Sequence, residues 1–106
     1  MIISTLEQIA GYKITESLGV VAGNTIRARH LGKDIVAGLR TVVGGEIKEY
    51  TGMLAESREQ SLQRMIEKGK ELNADGIIGV RFQTSMIMST TAELLAYGTA
   101  VKLQKI

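Results

Sequence analysis

The sequence predicts an α+β domain in which one long helix and one short helix pack against a small sheet. Three segments alternate in hydropathy with the period of a strand, and two segments repeat apolar residues with the period of a helix. The predicted helix and strands also match in length, because a helix of about 25 residues and a strand of about 11 residues both span nearly 40 Å. One helix can therefore cross the whole sheet, in the chain order strand, short helix, long helix, strand, strand.

The first predicted strand runs from Tyr12 to Ala22. Its alternation gives one mostly apolar face, made of Tyr12, Ile14, Glu16, Leu18, Val20 and Ala22. Gly23-Asn24 is typical of a turn, so the strand is expected to end there. Residues 25–33 are then predicted to be irregular, with a local excess of basic side chains.

The short helix is predicted to begin after Asp34, which is a typical N-cap residue. Gly44-Gly45 is expected to end it, because glycine favours the left-handed conformation that terminates helices. The apolar residues between them recur at helical spacing and are Ile35, Val36, Leu39, Val42 and Val43.

The long helix is predicted to run from Glu46 to about Leu72, with Asn73 as a left-handed cap. Its predicted apolar stripe consists of Ile47, Leu54, Leu62, Met65, Gly69 and Leu72. Arg58 falls near the centre of this stripe. A charge in an apolar stripe needs a partner, so Arg58 is the first residue for which the sequence predicts a special role.

The last two strands are predicted from Ile77 to Met88 and from about Glu93 to Leu103, joined by a turn at Ser89-Thr90-Thr91. One face of the first of them holds Ile78, Val80, Phe82, Thr84, Met86 and Met88. Both faces of the final strand are largely apolar, with Leu95, Tyr97, Thr99, Val101 and Leu103 opposed to Leu94, Ala96, Gly98, Ala100 and Lys102. The short helix or a neighbouring subunit is therefore expected to cover its second face.

Composition excludes several classes of function. Residues 1–106 are expected to form one domain, and a net charge of +2 with four aromatic residues does not indicate nucleic-acid binding. The absence of cysteine excludes a disulfide framework, a thiolate nucleophile and cysteine-based metal centres. No signal peptide and no apolar run of about 20 residues is present, so we expect a cytoplasmic protein without a membrane partner. We also expect no cofactor.

A set of short motifs occurs in the order found in the YbjQ-like family, which this chain resembles over nearly its whole length. They are Gly19-Val20-Val21-Ala22-Gly23, Asp34-Ile35 with Gly44-Gly45 and Tyr50, Ala55-Glu56-Ser57-Arg58, Gly79-Val80, and Tyr97-Gly98-Thr99-Ala100-Val101. The resemblance implies a dodecin-like fold, here β-α-α-β-β, in a protein that assembles into a ring, with a pentamer as the expected size. It also implies an uncharacterised activity and the label heavy-metal-binding. The chain departs from the family pattern at Ser61 and Gly69, where alanine is typical.

Arg58 is predicted to pair with Glu16, either within one chain or across the ring interface. Two alternatives stay open: Arg58 could present its guanidinium to an anionic ligand in a pocket, or it could lie on the surface if the helical phase is different. Tyr97, Gly98 and Thr99 are the other ligand or interface candidates.

Three pairs of residues could contribute to a metal site, and each has a simpler explanation. These pairs are His30 with Asp34, Glu46 with Glu49 at a helix start, and Met86 with Met88, for which packing in the core is favoured. The sequence therefore predicts no metal site. A basic cluster of Arg27, Arg29, His30 and Lys33 could hold an anion but is typical of a solvated loop.

No serine has a visible activating partner, so no catalytic residue is predicted. The favoured function is a non-enzymatic homo-oligomer, a pentamer by resemblance, that binds a small ligand at a subunit interface or acts as a scaffold. The alternative is a metal-binding protein. An enzyme whose site is assembled from several subunits, with Arg58, Glu16 and Tyr97 around one cleft, ranks third.

Overall fold

The computed structural model describes residues 1–28, 48–88 and 91–106, with the side chains of 28 and 48–53 outside the description. These ranges contain β1 (Ile2–Ile3), β2 (Tyr12–Ala28), α1 (Lys48–Glu71), β3 (Gly76–Met88) and β4 (Thr91–Lys105). The strands form one sheet in the order β1-β3-β4-β2, in which β1 is parallel to β3 and β4 is antiparallel to both neighbours. The predicted α+β class with one long helix is confirmed, and β1 is an addition that the sequence did not indicate.

Several predicted features fall outside the described residues. They are the short helix after Asp34, its stop at Gly44-Gly45, the predicted helix start at Glu46, and Ser89-Thr90 of the last turn. The dodecin-like details that depend on them remain predictions.

β2 is longer than predicted and its faces are different. It continues through Gly23-Asn24 to Ala28, so the predicted turn there is wrong. Two bulges, between Ile14 and Glu16 and between Ser17 and Gly19, shift its pairing with β4. Each bulge adds one residue to β2 and reverses the side to which later side chains point, so the faces are reversed only between the two bulges. Beyond them Val20 lies on the same face as Tyr12 and Ile14 and is 77% exposed, whereas Val21 faces α1 and is buried.

The buried face of α1 is centred on Ser57, Ser61, Met65 and Gly69, which are spaced four residues apart. Arg58 lies one residue away from this line, which is about 100° around the helix, and is exposed. The predicted stripe centre at Arg58 is therefore wrong, and the alternative of a surface arginine is correct for the isolated chain. The hydropathy pattern did not predict this buried face because serine is counted as a polar, exposed residue.

The end of α1 confirms the predicted cap at Asn73, whose φ is 58°. The amide of Ala74 donates to the Gly69 carbonyl at 3.0 Å and the amide of Asn73 donates to the Lys70 carbonyl at 3.0 Å. These two bonds form a Schellman motif, which satisfies carbonyls at the helix end.

We expect Asn73→Ala to lower the free energy of unfolding by about 1 kcal/mol, because alanine tolerates a positive φ less well than asparagine. Asn73→Gly is the matched control and should be neutral or stabilising, since glycine adopts this conformation without strain. Urea unfolding followed by circular dichroism measures both. Equal stability of the alanine and glycine variants would contradict the role of backbone strain.

β3 contains a bulge that divides the predicted apolar row. The pairing with β4 shifts between Ile78 and Arg81, and Gly79 has a φ of 61° within this shift. Ile77 and Val80 consequently both face α1 and are buried, whereas Ile78 turns to the other face of the sheet. The core is Val21, Met65, Ile77, Val80, Ala96 and Ala100.

β4 has the two faces that its sequence predicted. Leu94, Ala96 and Ala100 are buried on the side of α1, and Leu95, Tyr97 and Thr99 alternate with them on the opposite side. We call this second side the outer face. It also carries Val20, Ala22, Asn24 and Ile26 of β2, and Ile78, Arg81, Gln83 and Ser85 of β3. Among the elements of the described ranges, none packs across this face.

Candidate functional site

The predicted pair of Arg58 and Glu16 does not form within the chain. Thr25 on β2 donates a hydrogen bond to the carbonyl of Ser57, which places Arg58 beside the Thr25 end of the strand. Glu16 lies nine residues earlier on β2, and at about 3.3 Å per residue this is a separation of about 30 Å. Both side chains belong to exposed residues. Pairing between two copies of the chain remains a prediction.

The polar contact between α1 and the sheet is a buried hydroxyl cluster of Thr25, Ser57 and Ser61. The Thr25 and Ser61 hydroxyls lie 3.1 Å apart, and Ser61 donates to the carbonyl of Leu94 at 2.9 Å. Thr25 also lies 3.3 Å from the Ser57 carbonyl. All three residues are nearly inaccessible, and no buried side-chain polar atom in the described ranges lacks a partner. The cluster therefore ties the middle of α1 to two strands.

Arg27 extends this cluster towards solvent. Its Nε donates to the Ser57 hydroxyl at 3.0 Å, and its terminal nitrogen donates to Gln60 Oε1 at 2.6 Å. The Glu56 carboxylate lies 3.7 Å from the same nitrogen, and the arginine side chain is 33% exposed. Arg27 was predicted to belong to a solvated basic loop and is instead a strand residue held by the helix. The other members of that cluster, Arg29, His30 and Lys33, lie outside the described residues.

We expect Arg27→Met to lower the melting temperature of the chain by several degrees, and Arg58→Met to change it little. The first substitution removes hydrogen bonds worth about 0.5–1.5 kcal/mol each, whereas the second removes an exposed charge. Differential scanning calorimetry at equal protein concentration measures both effects. A larger loss for Arg58→Met would indicate that Arg58 has a buried partner, in this chain or in another copy.

Next to the hydroxyl cluster, the backbones of α1 and β2 are in close contact at Gly23. A Cβ at this position would lie 2.3 Å from both the Met65 nitrogen and the Ser61 carbonyl oxygen. Because glycine has no side chain, the backbone of α1 can contact the backbone of β2 directly at this position. The sequence predicted a turn from the same glycine, because Gly-Asn is a turn signal when it is considered locally.

The three candidates on β4 do not share one face. Tyr97 and Thr99 lie on the outer face, where Tyr97 is paired with Ala22 on one side and Arg81 on the other. Gly98 faces α1, and a Cβ there would lie 2.8 Å from Ile77 Cγ2. Gly98 is thus explained by packing, while Tyr97 and Thr99 remain ligand or interface candidates.

Arg81 is a site residue that the sequence did not single out. One terminal nitrogen of its guanidinium donates to the carbonyls of Thr5 and Val80, both at 2.8 Å. These bonds hold the guanidinium at the edge of β3 that faces away from β4. A guanidinium held in this way can bind a carboxylate.

The structure describes only one of the three candidate metal pairs. The pair of His30 and Asp34 and the pair of Glu46 and Glu49 lie outside the described residues or side chains. Met86 and Met88 are 59% and 60% exposed, so their predicted packing in the core is wrong. A bulge between them pairs Met86 with Ala92 and Met88 with Thr91, which puts the two side chains on opposite faces. In residues 1–28, 48–88 and 91–106 no group of three or more His, Asp or Glu side chains could hold a metal ion.

Two shallow clefts adjoin the described surface. One of about 220 Å³ lies between β2 and the end of α1, against Val20, Val21, Ala22, Lys68, Glu71 and Leu72. The other, of about 490 Å³, is lined by Gln8, Tyr12, Lys13, Ile14 and Ile106. Neither contains Arg58, Tyr97 or Thr99. Within the described part of the chain, no helix is long and apolar enough to cross a membrane.

Comparison with known proteins gives matches over almost the whole chain. A family model described as "Putative heavy-metal-binding" matches residues 1–104. A UPF0145 protein of Thermotoga petrophila is 58% identical over 106 residues, and one of Methanosarcina acetivorans is 56% identical over 103 residues, covering 100% and 97% of each chain. A crystal structure from Pediococcus pentosaceus, described as a protein of unknown function in the DUF74 family, covers 98% of both chains with a TM-score of 0.69 and 21% identity. This last similarity concerns the fold alone.

Proposed function

The chain belongs to the YbjQ-like family, and on that basis we propose that it is a non-enzymatic, ring-forming homo-oligomer. In this proposal the ring is a pentamer, and it binds a small ligand at subunit interfaces or serves as a scaffold. The family relationship is compatible with this function without specifying it, since the relatives are uncharacterised and the similar crystal structure has no known function.

The observation that supports the proposal is the uncovered outer face. It carries Leu95 and Tyr97 at the centre and Val20 and Ile26 on the flanking strand, the last two being 77% and 58% exposed. α1 packs on the opposite side of the sheet and cannot shield these side chains. Apolar surface of this kind is stabilised when a second molecule removes it from water.

Ligand binding would involve the outer face near Tyr97 and Thr99. The Tyr97 ring offers an apolar surface with one hydroxyl on this face. Such a ring suits a small planar ligand, with a second subunit closing the site. No described serine has the base and the oxyanion donors that acyl transfer would require, so an enzyme remains the third candidate.

Size-exclusion chromatography with light scattering tests the assembly. We expect a mass of about five times 11.5 kDa, independent of loading concentration over a tenfold range. A monomer of 11.5 kDa would contradict the proposal, and a different closed number would correct only the ring size. The protein should be measured at moderate and high salt, because an assembly that depends on apolar contact persists at high salt.

The alternative function is metal binding, which the description of the family model favours. Its test is elemental analysis of purified protein, followed by titration with Cu, Zn or Ni at micromolar concentrations and native mass spectrometry. A stoichiometric metal that is lost in His30→Ala would support this alternative. Binding by Met86 and Met88 together is not expected within one chain, because the bulge separates their side chains.

A further inference from the structure

The outer edge of β3 is paired only at its beginning. β1 contacts it at Gly76 and Ile77, and the amide of Val80 donates to the carbonyl of Ser4 at 3.0 Å. No strand of the described ranges pairs with this edge after Val80. Residues 81–88 are all exposed.

The backbone groups that point outward along this edge can be identified from Val80. Its amide donates to Ser4 and its carbonyl accepts from Arg81, so both groups point away from β4. Because backbone groups alternate in direction along a strand, the amides and carbonyls of Phe82, Thr84 and Met86 also point outward. The bulge between Met86 and Met88 ends this regular stretch.

This edge has little protection against pairing with another strand. Natural edges are blunted by charged side chains, proline, bulges or a covering element. Residues 82–86 of β3 are Phe-Gln-Thr-Ser-Met and contain neither a charge nor proline. Phe82 and Met86 are 45% and 59% exposed, which makes the edge apolar as well as unpaired.

Within the described ranges the sheet has a second unpaired edge, on β2, and the regular part of this strand lies beside the same part of β4. Both bulges of β2 occur before Val20, so Val20–Ala28 is regular. Ile26 is opposite Glu93 on β4, and Ser85 is opposite the same residue from the other side. The two edges therefore lie on either side of the same part of β4. Val20–Ala28 and Phe82–Met86 together contain one charged residue, Arg27.

We propose that the edge of β3 at Phe82–Met86 pairs with the Val20–Ala28 edge of β2 in a second copy of this chain, so that the sheet continues from subunit to subunit. The contact rests on the proposed function, which requires association, and it specifies where association occurs. Because the two edges differ, the contact is head-to-tail, and repeated contacts of this kind form a ring when the rotation between neighbouring subunits closes. One type of contact then satisfies both unpaired edges of every subunit.

Thr84→Pro is the direct test, because proline removes an amide that no strand of the described ranges uses. We expect this variant to keep the circular dichroism spectrum and thermal transition of a folded chain and to lose the oligomer, with at least a tenfold weaker association. Thr84→Ala is the matched control: it keeps the amide, shortens the same side chain, and should assemble like the wild type. Met86→Pro removes the next outward amide and should behave like Thr84→Pro.

Amide hydrogen exchange of the wild type provides a second measurement that does not depend on a variant folding. The amides of Phe82, Thr84 and Met86 should exchange at least about 100-fold more slowly than those of a free strand edge. Fast exchange of these amides in an oligomer, or an oligomeric Thr84→Pro protein, overturns this contact and leaves the proposed function standing. A wild type that is monomeric overturns both.

Discussion

Gly23→Ala is expected to lower the free energy of unfolding by about 3 kcal/mol or more. The added Cβ would lie 2.3 Å from the Met65 nitrogen and 2.3 Å from the Ser61 carbonyl oxygen. Both are backbone atoms of α1, so no side chain can rotate to relieve the contact and the helix itself must move. A displaced helix also loses contacts to the buried side chains of Val21 and Met65.

Urea unfolding at fixed protein concentration measures this effect, since association contributes to apparent stability. Ser17→Thr is the matched control, because it adds one methyl group to an exposed residue of the same strand, outside the proposed subunit contact. The control should change the unfolding free energy by less than about 0.5 kcal/mol. Equal stability of Gly23→Ala and the wild type would show that α1 does not rest on the β2 backbone.

Ser61→Ala is expected to lower the free energy of unfolding by about 2 kcal/mol. The substitution removes the hydroxyl that contacts Thr25 and donates to the Leu94 carbonyl, in a position with no exposed surface. A buried polar group that loses its partner costs about 1–3 kcal/mol. Helix propensity acts in the opposite direction, because alanine is the best helix former, so the measured loss is attributable to the hydrogen bonds.

A double-mutant cycle with Thr25→Val separates the coupling from the individual losses. The two substitutions should be less than additive, with a coupling of about 1 kcal/mol, because both remove the same hydroxyl contact. Ser17→Ala is the control for loss of an exposed hydroxyl, outside the proposed subunit contact, and should change stability by less than about 0.5 kcal/mol. Additive losses at Ser61 and Thr25 would contradict the contact between their hydroxyls.

The hydroxyl cluster also explains why sequence periodicity gave the wrong phase for α1. The pattern of large apolar residues placed the buried stripe near Arg58, whereas the structure places it along Ser57, Ser61, Met65 and Gly69. A serine can be buried when its hydroxyl has a partner, and that partner, Thr25, lies more than 30 residues away in the sequence. A helical pattern by itself contains no information about such a partner.

Bulges account for the errors in the strands. In β2 and β3 the alternation was read correctly over short stretches, but a single extra residue reverses the faces beyond it. Met86 and Met88 are the clearest case: their i, i+2 spacing predicts one shared face, and the bulge between them gives two.

The sequence by itself determined the long helix, the last two strands and the family of this protein. The long helix, its left-handed end at Asn73, the two-faced β4 and the family relationship all follow from local spacing or from motifs in order, which do not depend on tertiary contacts. Only the tertiary structure decided which face each element buries, the separation of Arg58 from Glu16, and the unpaired edges of β2 and β3. These features depend on hydrogen bonds and close contacts between segments far apart in the chain, and such contacts leave no periodic signal in the sequence.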